Sequence, residues 1–470
     1  MRMALRTSTS AGAAARMALA LAAWCGACAT APALQESGDT AFVNVTVLPM
    51  TGQGPMSDQT VVITDGRISA MGPSEEIEVV GDTVIIDGAD KYLMPGVAEM
   101  HGHYPQEADS QFTRDIMYMY VANGVLRVRG MQGGLQHLPL RDSIAAGEQV
   151  GPRLWVSAPM LHGRAVTEPA QAESLVREAA AAGFDHLKVH EELSAEVYAT
   201  IAATAREVGL PFSGHVTNYV GLYGALEQGQ QTIDHLDNYL EAMVEDQDQI
   251  ADLGLFDLGR LAGQMDDSRI DEVVAATLGA GAGVVPTMAL WEGLFGSRTG
   301  AEWLALRPET RYMPSAMVDA WVSAIDQRVE QFGADPQAVA NILALRRRVL
   351  KALHEAGVAV LLGTDSPQLF SVPGFSIHHE MQVMVESGIS PADVLYAGTR
   401  AVAEFYEATD EFGAVATGLR ADLVLLNADP IADIGNFADR AGVMLGGRWI
   451  TAAEIDAELA AIEARAAGNE

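Results

Sequence analysis

Several kinds of residue are scarce in this chain of 470 residues, and each scarcity excludes a class of protein. The two cysteines, Cys25 and Cys28, both lie near the amino terminus, so the rest of the chain has neither a disulfide framework nor a thiolate metal site. Basic residues number 29 against 62 acidic ones, and the net charge of −33 argues against a nucleic-acid partner. No later apolar run is long enough to span a bilayer.

The remaining composition is typical of a large globular protein. Hydrophobic residues make up 49% and charged residues 19%, while the glycines and prolines are too scattered for a collagen-like, coiled-coil or solenoid chain. At roughly 100–200 residues per domain, the length allows two or three domains. Lysine occurs only as Lys91, Lys188 and Lys351, so a lysine within an apolar strand stands out.

Residues 1–27 are predicted to be a signal peptide. Their first part carries arginines and no acid, and the apolar run Met17–Trp24 follows. The small residues around Cys28 resemble a lipoprotein cleavage box; ordinary cleavage after Ala31 or Ala33 is the alternative. Either route predicts an exported protein, in the periplasm or as an outer-membrane lipoprotein of a bacterium. Membrane contact is expected only through that lipid anchor.

The remaining sequence predicts an α/β fold with a second, smaller β unit. Residues 41–92 contain short β-rich runs with Asp-Gly turns, typical of antiparallel strands. Residues 93–400 alternate apolar strands with Ala-rich helices, and eight such units predict a TIM (β/α)8 barrel. Residues 413–450 return to β character and complete a small β-sandwich with the first segment, and 452–467 form a closing helix.

The predicted barrel strands can be placed individually, and one connection between them is unusually long. The segment 291–349 separates the last two strands by more than one helix requires, which predicts either a lid or a surface helical pair with its own small core. The first strand ends in His101, and the other seven are Gly124–Arg129, Arg153–Ala158, His186–Val189, Pro211–His215, Thr232–His235, Gly283–Pro286 and Val358–Gly363.

Six potential metal ligands stand at the carboxyl ends of these strands. His101 and His103 are two residues apart on one strand and therefore share a face. Lys188 lies in an apolar strand, where a cation is costly unless it is paired or chemically altered. The remaining ligands at strand ends are His215, His235 and Asp365. Each has an ordinary structural explanation alone, but their order at matching ends of ordered strands predicts one metal site.

At these motifs the chain resembles the amidohydrolase superfamily, in its imidazolonepropionase-like and prolidase-like branch. The resemblance covers about 41–450 and includes the segments 94–103, 214–216 and 363–366. It implies that two divalent ions, zinc by default, are held by the six residues. His101, His103 and Asp365 would hold one ion, His215 and His235 the other, and a carboxylated Lys188 would bridge them.

The resemblance implies an amide hydrolase. A hydroxide bridging two metal ions would attack the carbonyl, with Asp365 acting as general base and then as general acid. Expected substrates are small molecules such as Xaa-Pro and other dipeptides or N-acylated amino acids. The candidate substrate-binding residues are His190, Tyr219, His378 and His379.

Other functions remain open from the sequence. A cyclic-amide hydrolase of the imidazolone type would use one metal and an unmodified Lys188. A lactone or ester hydrolase would use the same site on a different bond, and a catalytically silent envelope binding protein would keep only the fold. We also expect a homo-oligomer.

Overall fold

A computed structural model describes residues 34–244, 258–259, 261, 265, 268–332 and 335–468. The predicted signal peptide, residues 1–27, lies outside the described residues. Within the described ranges, no helix has both the length and the apolar character needed to cross a membrane.

Strands from both ends of the chain form one large sheet. Its order is β17-β16-β15-β7-β2-β3-β4, and β6 pairs with β2. Alternating apolar residues such as Phe42, Val61 and Leu423 build a core on this sheet. The two terminal segments thus share a sheet, while its division into two layers of a sandwich stays a prediction. The strands are β2 Thr40–Val47, β3 Met56–Thr64, β4 Arg67–Pro73, β6 Val84–Asp87, β7 Tyr92–Pro95, β15 Leu423–Leu426, β16 Arg440–Leu445 and β17 Arg448–Thr451. The short strands β1 Leu34–Glu36 and β5 Ile77–Val79 pair separately.

The middle of the chain forms two parallel sheets. One has the order β10-β9-β8 and the other β11-β12-β13-β14. Most of these strands are short and wholly buried, as expected for parallel strands covered on both faces. Their bounds are β8 Val97–Gly102, β9 Val125–Gly130, β10 Arg153–Val156, β11 Leu187–Val189, β12 Phe212–Gly214, β13 Thr232–Asp234 and β14 Gly283–Val285.

Isolated parallel bridges connect these sheets to each other and to the segment after residue 357. Ser157 pairs with His186, Val284 with Val360, and Gly102 with Ser366.

The prediction of a regular strand at Val358–Gly363 is wrong, because the segment has only the isolated bridge at Val360 and the Leu362 N–H donates to the Ala397 carbonyl instead of to a neighbouring strand. The Glu99 carboxylate accepts hydrogen bonds from the backbone N–H groups of His101 and Thr364, both at 2.8 Å. These two amides therefore bind the Glu99 side chain and not the backbone of a neighbouring strand.

Helices alternate with the parallel strands and cover them. Trp303 and Trp321, both within the segment 291–349, are 6% and 7% exposed and belong to the main hydrophobic core. The helices are α1 Gln111–Ala122, α2 His137–Ala145, α3 Pro169–Ala182, α4 Ala195–Val208, α5 Gly221–Glu227, α6 Tyr239–Ala242, α7 Ser268–Ala280, α8 Met288–Phe295, α9 Gly300–Leu306, α10 Ser315–Phe332, α11 Pro336–Glu355, α12 Ser376–Glu386, α13 Pro391–Gly398, α14 Arg400–Phe405 and α15 Ala452–Ala467. Among the residues that the structure describes, 3-10 helices span Pro308–Tyr312 and Ile434–Ala438.

A buried ion pair joins the parallel strands to the terminal sheet. Arg127 Nη1 on β9 lies 3.1 Å from Oδ2 of Asp422, and the guanidinium also lies over the ring of Phe412. Burial by itself raises the pKa of Asp422. The charges of Arg127 and Arg420 and the hydrogen bond from the Gly446 N–H outweigh this effect, so the net pKa is below its usual value. The carboxylate is therefore ionised where the two units meet.

Replacing Asp422 by alanine should destabilise the fold strongly, since it leaves a buried guanidinium without its partner. We expect the free energy of unfolding to fall by roughly 3–5 kcal/mol in urea denaturation followed by circular dichroism. The exposed pair of Arg177 with Glu207 supplies the control, and Glu207→Ala should change little. Equal effects of the two substitutions would contradict this role for Asp422.

Candidate metal-dependent active site

The six predicted ligands come from the carboxyl ends of four parallel strands and from the segment that carries Asp365. His101 lies on β8 and Lys188 on β11, and both side chains are almost completely buried. His215 and His235 directly follow β12 and β13, and Asp365 lies in the segment bridged to β8. Parallel neighbours end at one edge of a sheet, which brings these side chains together.

Short distances join these side chains into one cluster. Lys188 Nζ lies 3.0 Å from His101 Nε2, and His103 Nε2 lies 2.6 Å from Asp365 Oδ1. The ring centroid of His235 is 4.4 Å from that of His101 and 4.5 Å from that of His215. All six candidate ligands therefore meet at one place, although their metal-binding roles stay predictions.

Each of three imidazoles is also oriented by a side chain behind it. Asp234 Oδ2 lies 2.8 Å from His101 Nδ1, and Asp237 Oδ2 lies 2.7 Å from His215 Nδ1. Thr287 Oγ1 lies 2.8 Å from Nδ1 of His235. Such contacts direct the opposite ring nitrogen, Nε2, toward a shared centre.

Sequence reasoning gave these three orienting residues no role. Asp234 and Asp237 lie one residue before and two residues after His235, so their proximity to a strand-end histidine was a usable signal. Thr287 lies on a different strand end, and no local pattern connects it with His235.

Glu99 connects the first strand with the segment that carries Asp365. Besides the two backbone amides, its carboxylate accepts a hydrogen bond of 2.5 Å from Thr364 Oγ1. Burial raises the pKa of Glu99 to about 7. Glu99 therefore fixes the backbone on both sides of the cluster, beside His101 and next to Asp365.

The electrostatics of the cluster favour neutral imidazoles. Burial, and then the charge of Lys188, lower the pKa of His101 and His215 well below the usual value, and the pKa of His235 is lowered in the same direction. Burial also lowers the pKa of Lys188. A neutral imidazole is the form that ligates metals, and a neutral amine is the form that reacts with carbon dioxide.

The residues present fit a divalent ion. His235 Nε2 is buried without a hydrogen-bond partner, so this nitrogen is available to bind a cation. One ligand atom from each of His101, His235 and Asp365 lies within 4.8 Å of the others. Imidazole and carboxylate ligands suit zinc and the neighbouring transition metals.

The four predicted substrate-binding residues occupy different surroundings. His190 lies between His215 and His162, with ring centroids at 4.3 and 4.9 Å. Tyr219 is 62% exposed and lines a cavity of about 300 Å³ that also contacts Asp237.

The two histidines of α12 point to other partners. His378 Nε2 lies 3.0 Å from Asn123 Oδ1 and its ring packs near Phe437. His379 Nε2 lies 2.7 Å from Glu309 Oε1. The structure therefore brings His190 into the cluster and Tyr219 to a cavity beside it, while the contacts described for His378 and His379 are with residues outside the cluster.

Comparison with known proteins identifies the family. The amidohydrolase family model matches residues 92–450, so the chain belongs to this family. It is therefore a hydrolase of the class that acts on carbon–nitrogen bonds, and the predicted resemblance is confirmed at this level.

Individual relatives are more distant. A protein assigned as a prolidase from Bifidobacterium longum has 24% identity and a TM-score of 0.63, over 90% of this chain and 98% of that one. Bottromycin amidohydrolase has 21% identity and a TM-score of 0.68, over 91% and 90%. Both likenesses concern the fold. The enamidase of Eubacterium barkeri is 34% identical over 90 residues, 19% of this chain and 23% of the enamidase, so the match spans about a quarter of that relative.

Gly214 leaves room for the Lys188 side chain, and this predicts the effect of a substitution. A Cβ at Gly214 would lie 2.4 Å from the Val189 carbonyl oxygen and 2.7 Å from Lys188 Cδ, at a φ of +125°. We expect Gly214→Ala to displace Lys188 and lower the bound metal per chain, measured by elemental analysis.

Gly221→Ala is the matched control for that experiment. Gly221 also has a positive φ, +68°, but its Cβ would meet open space. Backbone strain alone should cost about 1–2 kcal/mol in the free energy of unfolding and leave the metal content unchanged. Loss of metal from both variants would show that strain, not displacement of Lys188, is responsible.

Proposed function

We propose that this protein is a metal-dependent hydrolase that cleaves amide bonds of small molecules such as Xaa-Pro and other dipeptides or N-acylated amino acids. The convergence of four histidines, a buried lysine and Asp365 carries this proposal. The prolidase named among the structural relatives supports the dipeptide class as a first substrate choice.

We infer that the parallel strands close into one (β/α)8 barrel around this site. The bridges Ser157–His186, Val284–Val360 and Gly102–Ser366 support the closure, because they link the two sheets through the segment 358–366 in a ring. Ligands at the carboxyl ends of the strands would then share the barrel face that carries active sites.

The site would hold two divalent ions, with zinc as the default. His101, His103 and Asp365 would bind one, and His215 and His235 the other. Lys188, converted by carbon dioxide to a carbamate anion, would lie between them. When bound, such ions lower the pKa of water toward neutrality and polarise the scissile carbonyl.

Asp365 is the residue proposed to move the proton. Its side chain is 9% exposed and Oδ1 lies 2.6 Å from His103 Nε2, so the carboxylate is held in one orientation with little water around it. It would accept the proton of the attacking water and deliver it to the amine nitrogen that leaves.

Metal stoichiometry of the purified protein, grown with zinc and bicarbonate, tests the site. We expect about two ions per chain by elemental analysis, and fewer in Lys188→Ala, because the bridging anion is lost. Lys351→Ala is the matched control, since Lys351 is exposed and pairs with Glu355. One ion in both the wild type and Lys188→Ala would favour the mononuclear cyclic-amide hydrolase, and none would favour a silent binding protein.

Asp365→Asn tests the proton transfer. In a panel of Xaa-Pro dipeptides, N-acyl amino acids and lactones, we expect kcat to fall by roughly 100-fold or more, the contribution of general acid–base catalysis. Asp142→Asn, on an exposed carboxylate, should retain full turnover. Undiminished turnover in Asp365→Asn with normal metal content would refute the role, and hydrolysis of lactones alone would favour the esterase function.

A further inference from the structure

A buried arginine from the long segment between the last predicted strands reaches the cluster. Arg346 lies on α11 and is 4% exposed. Its Nη2 donates a hydrogen bond to the backbone carbonyl of His235, although the two residues are 111 positions apart. Helix α11 therefore makes direct contact with the backbone of a candidate metal ligand.

An aromatic pair packs beside this guanidinium. The Arg346 guanidinium carbon lies 4.5 Å from the ring centroid of Trp291, and Trp291 is stacked on Phe295 at 5.2 Å. Trp291 also presents an edge-on contact to the His235 ring, with centroids 6.5 Å apart. The guanidinium and the imidazole thus share one aromatic neighbour, which restricts both.

The backbone of His235 needs this support. His235 has a φ of +62°, and the following residue Leu236 a φ of +54°, both in the left-handed region. Residues other than glycine are strained in this region and persist only where surrounding contacts hold them. The His235 N–H donates to the Val285 carbonyl at 2.7 Å, and Arg346 holds the carbonyl on the other side.

We propose that Arg346 is a positioning residue for the metal proposed at His215 and His235, acting on His235 through its backbone carbonyl. This inference rests on the proposed function, because it requires a metal at that position. Helix α11 would then support the site directly. This role differs from the two predicted for the segment 291–349, a lid and a surface helical pair with its own core.

Metal affinity of the apoprotein is the direct test. Zn²⁺ binding would be measured by chelator competition, and the Co²⁺-loaded protein would be examined by visible absorption, for wild type, Arg346→Gln and Arg346→Lys. We expect Arg346→Gln to weaken binding of one of the two ions by about 10–100-fold and to alter the Co²⁺ spectrum. Arg346→Lys, which keeps a positively charged donor without the planar fork of the guanidinium, should lie between wild type and Arg346→Gln.

Arg347→Gln is the matched control. Arg347 is the next residue of the same helix and pairs with Glu292 and Glu386, so its loss removes the same charge without touching His235. Its Zn²⁺ affinity and Co²⁺ spectrum should equal those of the wild type.

The outcomes separate this inference from the proposed function. No metal in the wild type would overturn both, whereas two tightly bound ions in Arg346→Gln with an unchanged Co²⁺ spectrum would overturn the role of Arg346 alone. Urea unfolding of each apoprotein monitors the fold. If Arg346→Gln does not fold, Arg346→Lys decides, and wild-type Zn²⁺ affinity in that variant would overturn the inference.

Discussion

Burial of the Lys188 amine is the constraint on which the rest of the site depends. The side chain is 1% exposed, and moving an ammonium into such surroundings costs several kcal/mol unless an opposite charge compensates. The carboxylates of Asp234 and Asp365, whose charges act on Lys188, already pair with His101 and His103. A carbamate at this position would be an anion among neutral imidazoles, and bound cations would then balance it. The amine, the imidazoles and the proposed ions therefore form one electrostatic unit.

Around this unit, several candidate ligands are held by contacts from other residues. Asp234, Asp237 and Thr287 each contact the Nδ1 atom of one imidazole, and Glu99 fastens the backbone on both sides of the cluster. Arg346 adds a contact to the backbone where the conformation is strained. The orientation of the candidate ligands thus depends on polar groups from several strand ends. These groups meet only when the strands lie side by side.

Much of the fold could be predicted because parallel strands are short apolar runs that need only local information. The predicted strands Gly124–Arg129 and Arg153–Ala158 agree with β9 and β10 to within a few residues. The segment Val358–Gly363 has the same apolar pattern but is not a regular strand, and the amide of Leu362 donates to the carbonyl of Ala397 in α13 instead of to a neighbouring strand. A distant carbonyl that replaces an acceptor on a neighbouring strand leaves no trace in the hydrophobic pattern.

The sequence by itself determined the types and order of the candidate ligands, from His101 to Asp365, because each lies in or directly after an apolar run and strand ends can be recognised locally. It also determined the family through those motifs. Only the tertiary structure decided which groups orient the ligands. Arg346 and His235 are 111 residues apart, and no periodicity relates positions that far apart in the chain. Their contact depends on how helix α11 packs against the strand ends, and packing is decided by the whole core.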